Sequence, residues 1–207
     1  PWCWEGNFKP FFVKRGYSVI VVNFSNPNPK VKINDYMEHI NEVVGEISGK
    51  VYIISHSLGT AIVEKYITKF SPKLDAVVFL TPSLVIKRLQ KAFLVNFHNI
   101  MRSKSCFYFS NRLDESVESV YLDKFTDESR KIELLMIRKK VPVGYEWNYK
   151  TLVMGSLNDN CMPISVLLDT AKIFKAKLII YQEHCDDMML DPAWEIVAED
   201  ILGFILV

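Results

Sequence analysis

Val51-Tyr52-Ile53-Ile54-Ser55-His56-Ser57-Leu58-Gly59 is the stretch of sequence that decides the fold. Its first residues are apolar and rich in β-branched side chains, which predicts a buried strand. Leu58 to about Phe70 predicts a helix that follows directly. A sharp strand-to-helix corner leaves room only for small side chains two positions before and after its central residue, and Ser55 and Gly59 are both small. The stretch therefore predicts a strand, a tight corner at Ser57 and a helix.

Short β-branched runs alternate with amphipathic stretches on both sides of this corner. Further strands are predicted at Tyr17–Phe24, Leu74–Leu80, Tyr149–Met154 and Lys177–Tyr181. Further helices are predicted from Asn34 or Asp35 to about Gly49, after the fourth strand, and from Asp191-Pro192 towards the end of the chain. This alternation is typical of a mostly parallel sheet with helices on both faces. We therefore predict a three-layer α/β/α fold.

Residues 82–147 interrupt the alternation of strands and helices. They are rich in Phe, Leu and Met and show the pattern of several helices without strands between them. An insertion between the third and fourth strands lies over the carboxyl ends of the strands, where ligands of α/β proteins bind. A chain of 207 residues has the size of one domain. We predict a single domain over residues 1–207 with a helical lid at about 82–147.

Composition and charge exclude several classes of protein. The net charge of +1, with 49% hydrophobic and 24% charged residues, indicates an ordinary globular protein that does not bind nucleic acid. The four cysteines form neither a CxxC pair nor a Cys/His cluster with zinc spacing, which predicts reduced thiols, no metal and no cofactor. Neither a transmembrane run nor a signal peptide is recognisable. We therefore predict a cytoplasmic protein without an integral membrane segment.

The hydroxyl of Ser57 is the candidate nucleophile. At a tight corner it would project from the top of the sheet, and the backbone N–H of Leu58 would face a developing oxyanion, aided by the dipole of the following helix. The alternative is a serine that caps the helix in an ordinary loop. The position between an apolar strand and a good helix favours the nucleophile.

Asp159 and His184 are the candidate acid and base, because the order in this fold class is serine, acid, histidine. Asp159 follows the fourth strand, where its carboxylate could accept the Nδ1–H of a histidine; the alternative is a turn-forming aspartate. His184 follows the fifth strand, and its polar neighbours make a solvated loop residue the alternative. The other histidines are interpreted as surface, packing or structural residues: His39, His56 and His98.

The chain resembles the α/β-hydrolase superfamily, and most of all its small lysophospholipase- and esterase-like members with a helical lid. Trp2-Cys3-Trp4-Glu5, Phe11-Phe12 and Arg15-Gly16-Tyr17 resemble the first helix of the family entering its fourth strand. The corner at Ser57, the Asp159 segment and Met188-Met189-Leu190-Asp191-Pro192 follow in family order. The resemblance implies a serine hydrolase with a Ser-Asp-His triad.

Two features depart from the family pattern. The strand before the first helix, whose His-Gly loop donates the second oxyanion N–H, has no counterpart, nor have two earlier strands. We therefore expect an N-terminally truncated version of the fold, in which the first two predicted strands pair directly or the sheet is filled in another way. Relatives also carry the catalytic histidine at the position of Asp186, so His184 lies two residues early, which is several ångströms of extended chain.

Three hypotheses of function follow. In the first, Ser57, Asp159 and His184 cleave a small or medium hydrophobic carboxylic ester through an acyl-enzyme, since the predicted lid is apolar. In the second, the chain is a catalytically impaired hydrolase-like protein that binds a small apolar ligand or a protein partner. In the third, the same triad serves as acid and base in a lyase that acts on a cyanohydrin-like substrate. The fold by itself does not choose between them.

Overall fold

A computed structural model describes residues 2–23, 33–83, 109–110, 112–124 and 146–207. The strands are β1 (Tyr52–His56), β2 (Ala76–Leu80), β3 (Thr151–Ser156) and β4 (Lys177–Tyr181). The helices are α1 (Trp2–Glu5), α2 (Phe8–Lys14), α3 (Ile33–Gly45), α4 (Leu58–Phe70), α5 (Glu115–Leu122), α6 (Ile164–Ile173) and α7 (Trp194–Leu206).

The described strands form one parallel sheet in the order β1-β2-β3-β4. Its register pairs Tyr52 with Ala76, Val77 with Thr151 and Leu152 with Lys177. Parallel neighbours need a crossover connection, and α4 and α6 provide it between β1 and β2 and between β3 and β4. Because all four strands run in one direction, the segments that follow them meet at one edge of the sheet. The candidate site lies at this edge.

Two apolar clusters lie on opposite faces of the sheet. Val77 and Phe79 of β2 point into the cluster that contains α3, α4 and α6. Ala76, Val78 and Leu80 point into the cluster that contains α1, α2 and α7. The side chains of β2 and β3 are buried throughout, as expected of strands covered on both faces. The predicted three-layer α/β/α arrangement is confirmed.

The sequence predicted the central elements well and the first strand wrongly. The helix from Leu58 to Phe70 and the strand Lys177–Tyr181 have the predicted bounds. The predicted strand at Tyr17–Phe24 is wrong, because its described part, residues 17–23, is neither strand nor helix. The ring of Tyr17 packs 6.1 Å from that of Tyr52, but the sheet pairings do not include this segment. It makes side-chain contacts beside β1 without the backbone ladder that defines a strand.

Most of the predicted lid, residues 82–147, lies outside the described residues. Within it, the structure describes α5 and a short segment that contains Phe109. The ring of Tyr121 lies 5.6 Å from that of Trp2 and 5.8 Å from that of Phe109. This part therefore packs on the cluster of α1, α2 and α7. The lid as a whole stays a prediction.

Within the described ranges, none of the helices has the length and apolar character needed to cross a bilayer. The thiols of Cys3, Cys161 and Cys185 form no disulfide bonds with one another.

Glu64 is a buried carboxyl on α4, with 4% of its surface exposed. Burial raises its pKa, against the lowering by Lys65 and by a hydrogen bond from Thr68. A raised pKa in the folded state means that ionisation destabilises the fold above the unfolded pKa of about 4.3 and not below it. We therefore expect Glu64→Gln to raise the thermal unfolding midpoint at pH 8, with a gain that vanishes as the pH falls below about 4.

Circular dichroism melts over this pH range measure the effect. The exposed Glu46 provides a matched control as Glu46→Gln. A gain at Glu64 that does not change with pH, or an equal gain in the control, would contradict the assignment to burial.

Candidate active site

The backbone turns sharply at Ser57, between the end of β1 at His56 and the start of α4 at Leu58. Its φ of 46° and ψ of −120° lie in a region that side-chain-bearing residues rarely adopt. The side chain is partly exposed and forms no capping hydrogen bond with the helix. The tight corner is therefore present, and the alternative of a helix-capping serine is not.

Backbone hydrogen bonds hold the corner from both sides. The N–H of Ser57 donates to the carbonyl of Leu80, which ends the neighbouring strand β2, at 3.0 Å. The carbonyl of Ser57 accepts from Thr60 N at 3.0 Å and from Ser83 N at 3.2 Å. The strained conformation is thus fixed by the sheet and by the segment after β2, which leaves the hydroxyl uncommitted to the backbone. This is the condition under which strain persists at functional sites.

Small side chains flank the corner as predicted. A Cβ atom placed on Gly59 would lie 3.8 Å from the Cβ of Ser55, which is ordinary van der Waals contact. The Oγ of Ser55 lies 3.4 Å from the Oγ1 of Thr60, so this hydroxyl is directed into the start of α4. The space beside Gly59 and Thr60 thus holds both the Cβ and the hydroxyl of Ser55.

The strain at Ser57 predicts an effect on stability that is independent of chemistry. Ser57→Ala keeps a Cβ at the unfavourable φ, whereas Ser57→Gly removes it. We expect the glycine variant to have a free energy of unfolding about 1 kcal/mol higher than the alanine variant, after the entropic cost of glycine is subtracted. Urea unfolding of the two variants measures the difference. Equal stabilities, or a less stable glycine variant, would contradict a strained corner.

Leu58 is the first residue of α4, so its backbone N–H has no partner inside the helix. The helix dipole adds positive potential at the same end. The N–H of Leu58, the predicted oxyanion donor, therefore lies at the start of the helix next to the candidate nucleophile Ser57.

Asp159 lies three residues after β3 and is 9% exposed. Its Oδ1 accepts hydrogen bonds from Cys161 N at 2.7 Å and Met162 N at 2.8 Å. Burial raises the pKa of this carboxyl to about 8, helped by the charge of Asp186, although the two amides and His56 lower it. An orienting acid has to be ionised. Asp159 therefore needs a cation nearby to serve in that role.

His184 is 4% exposed and lies beside the start of α7. Its Nε2 is 3.3 Å from the carbonyl of Ala193 and 3.9 Å from a carboxylate oxygen of Asp191, and its ring centre lies 4.5 Å from that of Tyr181 in a tilted arrangement. Asp191 is itself paired with Arg112 at 2.8 Å. His184 is therefore buried, not a solvated loop residue, and it contacts the end of β4 and the start of α7.

His56 ends β1 and lies close enough to Asp159 for its charge to lower the pKa of that carboxyl. Its Nε2 lies 3.3 Å from the Asp186 carboxylate, and its Nδ1 lies 3.8 Å from that of Asp187. Burial by itself lowers the pKa of this imidazole, but the carboxylates of Asp186 and Asp187 outweigh it and raise the pKa to about 9. The interpretation of His56 as a packing residue is therefore incomplete: it belongs to a buried group of charges.

Signals for this group in the sequence are weak. Asp186 and Asp187 follow His184 closely and His56 belongs to the corner, but 130 positions separate His56 from Asp186. The parallel sheet joins them, because the segments after β1 and β4 end at the same edge. A pairing of this kind is not readable from spacing along the chain.

Comparison with known proteins gives the family. The sequence model of the serine hydrolase family matches residues 21–188, a span that includes the Ser57 corner and the Asp159 segment. The chain belongs to the serine hydrolase family. No curated protein sequence matches this serine hydrolase significantly.

Solved structures show that this serine hydrolase has the α/β-hydrolase fold. It is similar to an esterase from Exiguobacterium antarcticum, with a TM-score of 0.76, 14% identity and coverage of 99% of this chain and 89% of that one. It is also similar to polyneuridine aldehyde esterase, with a TM-score of 0.71, 18% identity and coverage of 97% and 93%. At these identities the likeness shows the fold alone.

Proposed function

We propose that this serine hydrolase cleaves a small or medium hydrophobic carboxylic ester through an acyl-enzyme on Ser57. The observation that carries the proposal is the strained corner, whose hydroxyl is partly exposed and caps no helix. The Oγ of Ser57 would attack the ester carbonyl while its proton passes to a base. The base would return the proton to the leaving alcohol, and water would then release the acid.

The negative charge that develops on the carbonyl oxygen would be stabilised at the start of α4. The N–H of Leu58 points from the first helical position, and the helix dipole acts in the same direction. A hydrogen-bond donor at such a site contributes about 3 kcal/mol to lowering the barrier in well-studied acyl transfer. The corner thus provides the nucleophile and one oxyanion donor on adjacent residues.

We propose His184 as the base and Asp159 as the acid on their order along the chain and on their positions after β4 and β3. For this role the His184 ring must release the carbonyl of Ala193 and turn towards Ser57 when substrate binds. Catalytic hydrogen bonds often form only in the substrate complex. The distance between Ser57 Oγ and an imidazole nitrogen of His184 in an acyl-enzyme analogue measures this directly.

Reaction of the intact protein with a fluorophosphonate probe tests the proposal. We expect stoichiometric covalent labelling of Ser57, located by mass spectrometry of peptides, and hydrolysis of p-nitrophenyl acetate, butyrate or octanoate. Product analysis with a hydroxynitrile tests the lyase hypothesis, because cleavage there releases cyanide and an aldehyde instead of an acid and an alcohol.

A specific observation favours the second candidate function, a hydrolase-like protein that binds an apolar ligand or a partner without catalysis. His184 contacts Ala193 and Asp191, and Asp159 lies in a group with Asp186 instead. Absence of labelling in folded protein, under conditions that label a known esterase, would favour this candidate over the first.

We further propose a single domain with the lid at residues 82–147, a small-molecule ester as the partner and no nucleic acid. We propose the cytoplasm as the location, on the pattern of the four cysteines in the sequence.

A further inference from the structure

His56, Asp186 and Asp187 form a buried group at the carboxyl edge of the sheet that the proposed hydrolysis does not use. One ligand atom from each of the three lies within 4.8 Å of the other two. A second group of the same tightness joins Asp186 to Asp159 and Cys161. Asp186 therefore stands at the centre of a set of potential metal ligands on β1, after β3 and after β4.

The set is rich in buried carboxyl groups. Asp159, Asp186 and Asp187 are each at most 9% exposed, and His56 lies 3.3 Å from the carboxylate of Asp186. Among the described residues, no lysine or arginine lies within ion-pair distance of Asp159 or Asp186, and Arg112 is engaged by Glu183 and Asp191. Burying carboxylates is costly unless cations or hydrogen bonds compensate, and a metal ion would supply such a positive charge.

Unsatisfied oxygen atoms point to where that charge belongs. Asp186 is 2% exposed, and its Oδ1 receives no hydrogen bond from the described part of the chain. The Oδ2 of Asp159 is likewise buried and accepts none there. The amides of Cys161 and Met162 fix Asp159 through its other oxygen, as outer groups commonly orient a carboxylate near a metal. Buried polar atoms of this kind call for a partner, and a metal ion is one that could contact both carboxylates.

The imidazole of His56 has the orientation of a ligand. Its Nε2 lies 2.9 Å from the backbone carbonyl of Asp186 and therefore carries the proton, since a carbonyl only accepts. Its Nδ1 faces a carboxylate oxygen of Asp187 at 3.8 Å and would give up its proton when a metal ion binds. That separation is too long for a hydrogen bond. It approaches the roughly 3.3 Å between two ligands that each lie about 2.0 Å from one tetrahedral ion.

We propose that His56, Asp186 and Asp187 bind one Zn²⁺ ion. Imidazole and carboxylate together suit Zn²⁺, whereas Mg²⁺ and Ca²⁺ prefer sets of oxygen ligands alone. The ion would balance the buried carboxylates and tie the segment after β4 to β1. The sequence analysis predicted no metal because cysteines and histidines lack zinc spacing along the chain. Spacing of that kind cannot reveal this site, because its ligands come from distant parts of the chain.

Metal titration of the purified protein tests the proposal without any variant. Protein stripped with a chelator is titrated with Zn²⁺ in competition with a chromophoric chelator, and with Co²⁺ while visible absorption is recorded. We expect saturation at one equivalent, a tetrahedral Co²⁺ spectrum and a higher thermal unfolding midpoint with Zn²⁺. Absence of saturable binding at one equivalent would overturn the proposal.

Two variants locate the site. Asp186→Asn should weaken Zn²⁺ binding at least about 100-fold, because it replaces one of the three ligands by a weaker one. His39→Gln is the control, since His39 is exposed on α3 beside Glu42, and it should bind as the wild type does. Zn²⁺ affinity unchanged in Asp186→Asn would overturn the site. If that variant does not fold, the ¹⁵N chemical shifts of the His56 imidazole in the wild type are recorded with and without Zn²⁺. Unchanged shifts would overturn the proposed metal site.

This proposal does not depend on hydrolysis. Ser57 is not among the ligands, so fluorophosphonate labelling of the metal-free protein reports on the nucleophile alone. Labelling without Zn²⁺ binding would reject the metal site and support the proposed hydrolase activity. Zn²⁺ binding without labelling would support the metal site and reject the proposed hydrolase activity.

Discussion

Replacement of Ser57 by alanine is expected to abolish fluorophosphonate labelling and to lower kcat/KM for ester hydrolysis by at least about a thousandfold. The hydroxyl is the atom that forms the acyl-enzyme, and alanine offers no substitute. The corner itself should survive, because it is held by backbone bonds from Leu80, Thr60 and Ser83 that do not use the Ser57 side chain. Near-normal stability together with lost activity is therefore the expected pair of results.

Ser83→Ala is the matched control for this experiment. Ser83 lies next to the corner and contacts Ser57 only through its backbone N–H at 3.2 Å, among the bonds of the described chain. We expect it to keep both labelling and turnover. Labelling that persists in Ser57→Ala, or that disappears in Ser83→Ala instead, would assign the reactive hydroxyl to another residue. Circular dichroism of each variant shows that the comparison is between folded proteins.

Gly155→Ala is expected to lower the free energy of unfolding by about 2 to 3 kcal/mol. Gly155 lies in β3, and a Cβ there would stand 2.1 Å from Cδ1, 2.6 Å from Cδ2 and 2.9 Å from Cγ of Leu167. Leu167 on α6 is completely buried, so its side chain has no free space into which to move. The methyl group must therefore push α6 away from the sheet.

Gly203→Ala is the opposite case and serves as the control. Gly203 is exposed within α7, and a Cβ there meets no atom within 4 Å. Alanine should stabilise the helix by about 0.5 to 1 kcal/mol. Guanidinium unfolding of both variants measures the two effects. A Gly155→Ala variant that loses no more stability than Gly203→Ala would contradict the close approach of α6 to β3.

A double variant tests the mechanism of the loss. Leu167→Ala leaves a cavity when made alone, but in the Gly155→Ala background the new methyl group occupies part of that space. We expect the double variant to be more stable than the sum of the single losses by at least about 1 kcal/mol. Additive losses would mean that the two side chains do not compete for the same volume.

The sequence by itself determined the core of the fold and the corner. Apolar β-branched runs specify β1 to β4, and the small residues Ser55 and Gly59 around Ser57 permit the sharp turn, because these are local requirements of backbone and side-chain size. The strand predicted at Tyr17–Phe24 failed for the converse reason. A strand exists only where a neighbour offers a hydrogen-bonding edge, and local composition carries no information about that neighbour.

Only the tertiary structure decided which polar groups meet. The parallel sheet brings the ends of β1, β3 and β4 to one edge and so joins His56 to Asp186 and Asp159, while His184 turns to Ala193. The direction of a buried side chain depends on the charges and hydrogen-bond partners that surround it in space. Those partners come from segments more than a hundred residues apart, as with His56 and Asp186. The sequence around Ser57 predicted the tight corner, because its geometry is local, and left the electrostatic partners of the candidate nucleophile to the fold.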